Sequence, residues 1–167
     1  MQRRLLFTSV LVLALLGGCG FHLRNSQEFS FKTIAVSPQP GGAIALDVVR
    51  YLGDRVVPEV SKGGRPGPQV VLDIVQEQRE KSVVAVNASG QVREMQLQIR
   101  LRFRVRTPQG DALIATTVIT QKRDITFNES SALAKEAEEI LLYRDMQNDI
   151  VQQMLRRLAA IKIKDVP

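Results

Sequence analysis

The stretch QIRLRFRVR places Arg100, Arg102, Arg104 and Arg106 at every second position, with Leu101, Phe103 and Val105 between them. A strand repeats its side-chain direction every two residues, so this segment puts four guanidinium groups on one face and three apolar groups on the other. Guanidinium forks suit carboxylates and phosphates, so the chemistry on offer is recognition of anions. Nucleic acid is a poor fit: no aromatic residue interleaves on that face and no nucleic-acid module is evident. Two main readings remain. One is a solvated sheet face whose charges are answered by acids on a neighbouring strand. The other is a face applied to the polar, water-filled interior of a second protein, with direct capture of an anionic lipid as a lesser variant.

Catalytic constellations are sparse. The sole histidine, His22, lies near the N-terminus, where a Ser-His-Asp triad would have to recruit it far from any pocket. Together with the sole cysteine it makes no zinc site, and the sequence contains no HExxH, P-loop or GxGxxG. Asp145 and Asp149 fall at i, i+4 beside Arg144 and Gln147, and read as a solvated helix face. The expectation is a non-enzyme with no cofactor and no metal.

Cys19 carries chemistry of a different kind. Residues 1–18 open with Arg3 and Arg4, run apolar from Leu5 to Leu16, and close on Gly17-Gly18. This is a secretory signal whose apolar run is too short to span a bilayer. Leu16-Gly17-Gly18-Cys19 resembles the bacterial lipobox, which implies acylation of Cys19 as the new N-terminus and removal of residues 1–18. Glycine follows at position 20, without the aspartate associated with inner-membrane retention, so the resemblance points to the outer membrane of a Gram-negative cell. Each buried methylene adds roughly 0.8 kcal/mol, so several acyl chains anchor stably where one does not. With no second cysteine, the domain has no internal disulfide. Removing Arg3 and Arg4 from 23 basic residues leaves 21 against 17 acidic ones, lowering the net charge from +6 to +4. That modest excess favours anionic partners without demanding one.

The elements that position these residues follow from periodicity. Residues 19–32 read as a polar tether, and 33–167 as one α+β domain. Thr33–Ser37 is a short strand. Ala43–Val57 has helical spacing through Ala45, Val49, Leu52 and Val56, widened by Ile44, Val48 and Tyr51, with Pro58 marking its end. Ser61–Pro68 is a loop. Gln69–Val86 contains a strand, Asn87–Gly90 a turn, Glu94–Arg106 the clearest half-buried strand, and Ala112–Asp124 its return. A closing helix runs from a Ser130-Ser131 cap to about Ile161, with Ile140, Tyr143, Ile150, Met154, Leu158 and Ile161 along one side and Leu141, Val151 and Leu155 flanking. The expected architecture is a two-layer sandwich, with two helices on one face of a mostly antiparallel four-stranded sheet. A tight turn at 87–90 would set Arg104 opposite Asp73 and Arg100 opposite Glu77, neutralising part of the arginine row.

Three stretches together resemble the lipopolysaccharide-assembly lipoprotein family LptE. They are Cys19-Gly20-Phe21-His22-Leu23-Arg24, then Ala132-Leu133-Ala134-Lys135 with acids after it, and Gln153-Met154-Leu155-Arg156-Arg157-Leu158. The resemblance implies a lipid-anchored plug inside a large outer-membrane β-barrel of the LptD type, assisting the barrel's assembly and contacting lipopolysaccharide. It implies that Lys135 is a lipopolysaccharide contact. A second basic contact in the family precedes the third strand, where this chain has Ala88 or Ser89, and Arg93 is the nearest basic residue. Lys135 near a helix start also agrees with the dipole's preference for anions there. The competing expectation is a free-standing periplasmic lipid carrier, which would need an acyl-sized apolar pocket, and the least favoured is a lipoprotein hydrolase.

Overall fold

The computed structural model describes residues 27–60, 66–127 and 132–163. Cys19, His22 and the 19–24 signature lie outside these residues, as do the Ser130-Ser131 cap and most of the 61–68 loop. The elements run β1 (Ile34–Ser37), α1 (Ala43–Leu52), a 3-10 turn (Gly53–Arg55), β2 (Val70–Val86), β3 (Val92–Arg106), β4 (Ala112–Thr126) and α2 (Ala132–Ala159). The sheet order is β1-β2-β3-β4, with β1 parallel to β2 and the other pairs antiparallel. Both helices cover one face of the sheet, as expected.

The core lies where that face meets the helices. From β3 it takes Leu97, Ile99, Leu101, Phe103 and Val105, all fully buried, and from α2 Met146, Ile150, Met154, Leu155 and Leu158. Each such side chain removed from water contributes roughly 1.5–3 kcal/mol. Phe31 is buried in this core and Phe29 packs against it, so the core draws on residues of the segment read as tether.

Helix α1 is shorter than its periodicity suggested. It ends at Leu52 because Gly53 turns left-handed, φ 56°, a conformation glycine adopts without Cβ strain. Val56 leaves the helical path to bridge Ile34, and Tyr51 stays exposed. In α2 the buried stripe begins at Met146. Ile140 and Leu141, expected along it, are 68% and 58% exposed.

Strand β2 holds the decisive irregularity. Asp73 pairs with Arg104, and Ile74 with Phe103, as expected; the register then shifts, and Gln76 pairs with Arg102 while Glu77 pairs with Leu101. The extra residue, Val75, is a bulge, and a one-residue offset moves every later side chain to the opposite face. Glu77, Arg79 and Lys81 therefore face the helices, and the expected pairing of Arg100 with Glu77 does not occur; Arg100 stands opposite Gln78.

Candidate functional site: the outer sheet face and the distal tip

The helix-facing charges beyond the bulge are all engaged. Glu77 Oε2 accepts a hydrogen bond from Ile44 N–H at 3.2 Å, at the start of α1, where Gly42 supplies no side-chain cap. Arg79 Nη2 donates to Gln147 Oε1 at 2.6 Å and its guanidinium lies 5.5 Å above the Tyr143 ring. Lys81 meets Glu139 at 2.5 Å, and Tyr143 Oη donates to the Glu80 carbonyl. Burial and the Glu139 charge push the Tyr143 phenol up, partly opposed by Lys81 and Arg79. The distal part of the helix–sheet contact is thus held by polar groups, and the proximal part by apolar ones.

The arginine row lies on the opposite, outer face and divides in two. Asp73 is opposite Arg104 and diagonal to Arg106. Its Oδ2 accepts from Arg104 Nε at 2.7 Å and from Arg106 Nε at 2.9 Å. Arg106 also reaches Glu59 at 2.5 Å. Partial burial opposes the charge on Asp73, but the hydrogen bonds and charges of Arg106 and Arg104 outweigh it and hold the carboxyl below its usual range. The same two acids push the Arg106 guanidinium up, which keeps it charged. Arg100 and Arg102 differ: both are exposed, and among the described residues neither has an ion-pair or hydrogen-bond partner. Around them the outer face offers Gln76, Gln78, Thr120 and Lys122 from the flanking strands and the half-exposed Val118 opposite Arg102, with Gln98 largely covered and bonded to Glu80 at 3.2 Å.

Lys135 and Arg93 come together at the distal tip, where β2, β3 and β4 outrun the core. Lys135 Nζ donates to Thr126 Oγ1 at 3.2 Å and pairs with Glu138 at 2.8 Å. The next residue, Phe127, bonds through its N–H to the Arg93 carbonyl at 2.8 Å. Arg93 is exposed, without a side-chain partner among the described residues. A cavity of about 190 Å³ opens here, lined by Met95, Ile125, Phe127 and Leu133 with Lys81, Lys135, Glu136 and Glu139 around them. Leu133 is 83% exposed. The apolar component of this tip was missed in the sequence, because Leu133 and Phe127 sit in short stretches with no clear period.

An open polar sheet face, a charged tip with an apolar floor and a filled two-layer core define a small α+β module suited to assembly and ligand contact. Among solved structures, an uncharacterized lipoprotein B from Nitrosomonas europaea shares 32% identity at a TM-score of 0.69, covering 84% of this chain and 91% of its own. A minor lipoprotein from Acinetobacter baumannii shares the fold at 18% identity and a TM-score of 0.59. The LPS-assembly lipoproteins LptE of Pectobacterium atrosepticum and Photorhabdus laumondii are each 29% identical, covering 96% of this chain and 88% of their own. Residues 31–158 match the lipopolysaccharide-assembly family LptE, and the chain belongs to it. That is a family of assembly lipoproteins and not a known enzyme family. Among the described residues, no helix is long and apolar enough to cross a membrane.

Proposed function

We propose that this chain is an outer-membrane lipoprotein, acylated at Cys19, that plugs a β-barrel lipopolysaccharide translocon of the LptD type. It assists assembly of that barrel and contacts lipopolysaccharide on its way to the outer leaflet. Family membership supports the role in lipopolysaccharide assembly. The observation that carries the plug reading is the outer sheet face, mostly polar across β2, β3 and β4 apart from the exposed Val118, with Arg100 and Arg102 unpaired among the described residues. The lumen of a large barrel is polar and wet, so a face of Gln, Thr and free Arg suits it. Lys135 and Arg93 are the lipopolysaccharide contacts in this reading: Lys135 lines a mixed-charge cavity with an apolar floor, which fits a ligand with both phosphates and acyl chains, and Arg93 is exposed on the same tip. A carrier that sequesters acyl chains would need space between the two layers, and that space is occupied by Leu97, Ile99, Leu101, Phe103 and Met154.

Mild detergent extraction is expected to recover the chain in a tight complex with its barrel. Reversing charge at Arg100 and Arg102 together should reduce that recovery; isolation as a lone monomer would sink the plug reading. Lys135→Asp is expected to weaken lipopolysaccharide binding while barrel association persists. Unchanged binding would leave Lys135 as a surface ion pair with Glu138 and nothing more.

A further inference from the structure

The end of the domain opposite the tip carries a second cavity. Helix α2 spans 28 residues, roughly 42 Å at 1.5 Å per residue, and the tip cavity lies at its N-terminal end. At its C-terminal end a cavity of about 550 Å³ opens between α2 and the start of β4, within the usual range for ligand sites. Its apolar wall is Leu113, Ile114, Ala160 and Ile161, and Thr117, Arg157 and Lys162 complete it. Among the described residues no carboxylate pairs with Arg157 or Lys162, in contrast to Arg104, Arg106, Arg123 and Lys135. Arg157 instead lies 5.9 Å above the Phe103 ring, a contact that orients the guanidinium without neutralising it. Among the described residues the site therefore sets two cations without a carboxylate partner next to an apolar wall, the complement of an anionic amphiphile.

Its location agrees with a membrane source. Ser30 Oγ donates to the Ile161 carbonyl at 2.6 Å, so the N-terminal segment joins the domain beside the cavity. Cys19 is eleven residues upstream of Ser30, within roughly 40 Å even if fully extended. The chain leading from the anchor thus enters the described fold beside the cavity.

We propose that this cavity binds a single anionic phospholipid, with its phosphate between Arg157 and Lys162 and an acyl chain along Leu113, Ile114 and Ile161. Only the source of the lipid rests on the acylated Cys19 of the proposed function; the binding chemistry stands without it. The site is separate from the tip that holds Lys135 and Arg93.

Native mass spectrometry of the full lipoprotein in a non-ionic detergent tests this with three probes. Lysophosphatidylglycerol carries charge and chain, lysophosphatidylcholine a chain without net charge, and glycerol phosphate charge without a chain. The first is expected to bind about tenfold more tightly than either of the others, a difference of roughly 1.4 kcal/mol. Lys162→Glu, exposed and beyond the helix, should remove that preference, as should Arg157→Gln, while Arg50→Gln on α1 should not. Circular dichroism would verify that each variant is folded. Equal binding of glycerol phosphate would mean a bare phosphate site, and equal binding of lysophosphatidylcholine a groove that ignores the headgroup; either overturns the proposal. So would binding of lysophosphatidylglycerol that survives Lys162→Glu. None of these outcomes bears on barrel association, so this proposal and the plug reading can fail independently.

Discussion

Arg104 and Arg106 share a strand, a face and a residue type with Arg100 and Arg102, yet the two pairs do different work. The first pair is clamped by Asp73 and Glu59 and belongs to the architecture. The second pair is exposed and, among the described residues, unanswered, because the bulge at Val75 turns Glu77 toward the helices. A repeated side-chain pattern on one strand does not assign a common role. The neighbouring strand does, through which of its residues reach the same face.

The largest effect is expected beneath the row. Phe103→Ala should cost about 3–5 kcal/mol in denaturant unfolding, since a buried ring leaves a cavity; a much smaller loss would mean that the odd positions of β3 are not the core. Next comes the clamp. Asp73→Ala should cost about 2 kcal/mol, typical of hydrogen bonds to a charged group, and less to the extent that half-exposed Arg104 is screened by water. Its pH dependence has a definite sign. The Asp73 carboxyl is depressed below its ordinary value of 3.8, so its contribution is present above that value and is lost as pH falls through the folded-state value. The acid limb of the stability profile should therefore be shallower in Asp73→Asn than in the parent chain. The smallest effect on stability is expected from the joint Arg100→Glu and Arg102→Glu change. It should leave the unfolding midpoint nearly unmoved, and a marked loss would erase the distinction between the two pairs.

The fold was largely legible in the sequence because β3 alternates cleanly over Glu94–Arg106 and the turns at 87–90 and 108–111 are written in Asn, Pro and Gly. The Asp73–Arg104 pair agrees with a register counted from the turn, although that count is already one residue off at Val86 and Val92 and the bulge at Val75 brings it back into step. Beyond Ile74 that register failed, since a bulge depends on cross-strand geometry and Val75 is as ordinary a strand residue as its neighbours. The stripe on α2 was half right. Met146, Ile150, Val151, Met154, Leu155 and Leu158 bury, whereas Ile140 and Leu141 face outward next to polar contacts through Tyr143 and Lys81. Periodicity reports an apolar stripe but not how far the opposing sheet follows it. Of the site residues, Arg93 and Lys135 were read by resemblance, and their meeting at one tip came from strand pairing that no local pattern encodes. The cavity at the far end of α2 gave no sign at all, because more than forty positions separate Leu113 and Ile114 from Arg157 and Lys162.

The contact between Glu77 and the start of α1 carries a consequence for how relatives of this chain can diverge. A methyl group on Gly42 would collide with the Glu77 carboxylate, the group that accepts the Ile44 N–H. The carboxylate is the free end of a flexible side chain and can swing aside, but the helix start then loses its acceptor. Positions 42 and 77 are therefore one unit of variation. A larger residue at 42 should accompany either a shorter acid at 77 or a Ser, Thr, Asp or Asn at 42 that caps the helix itself.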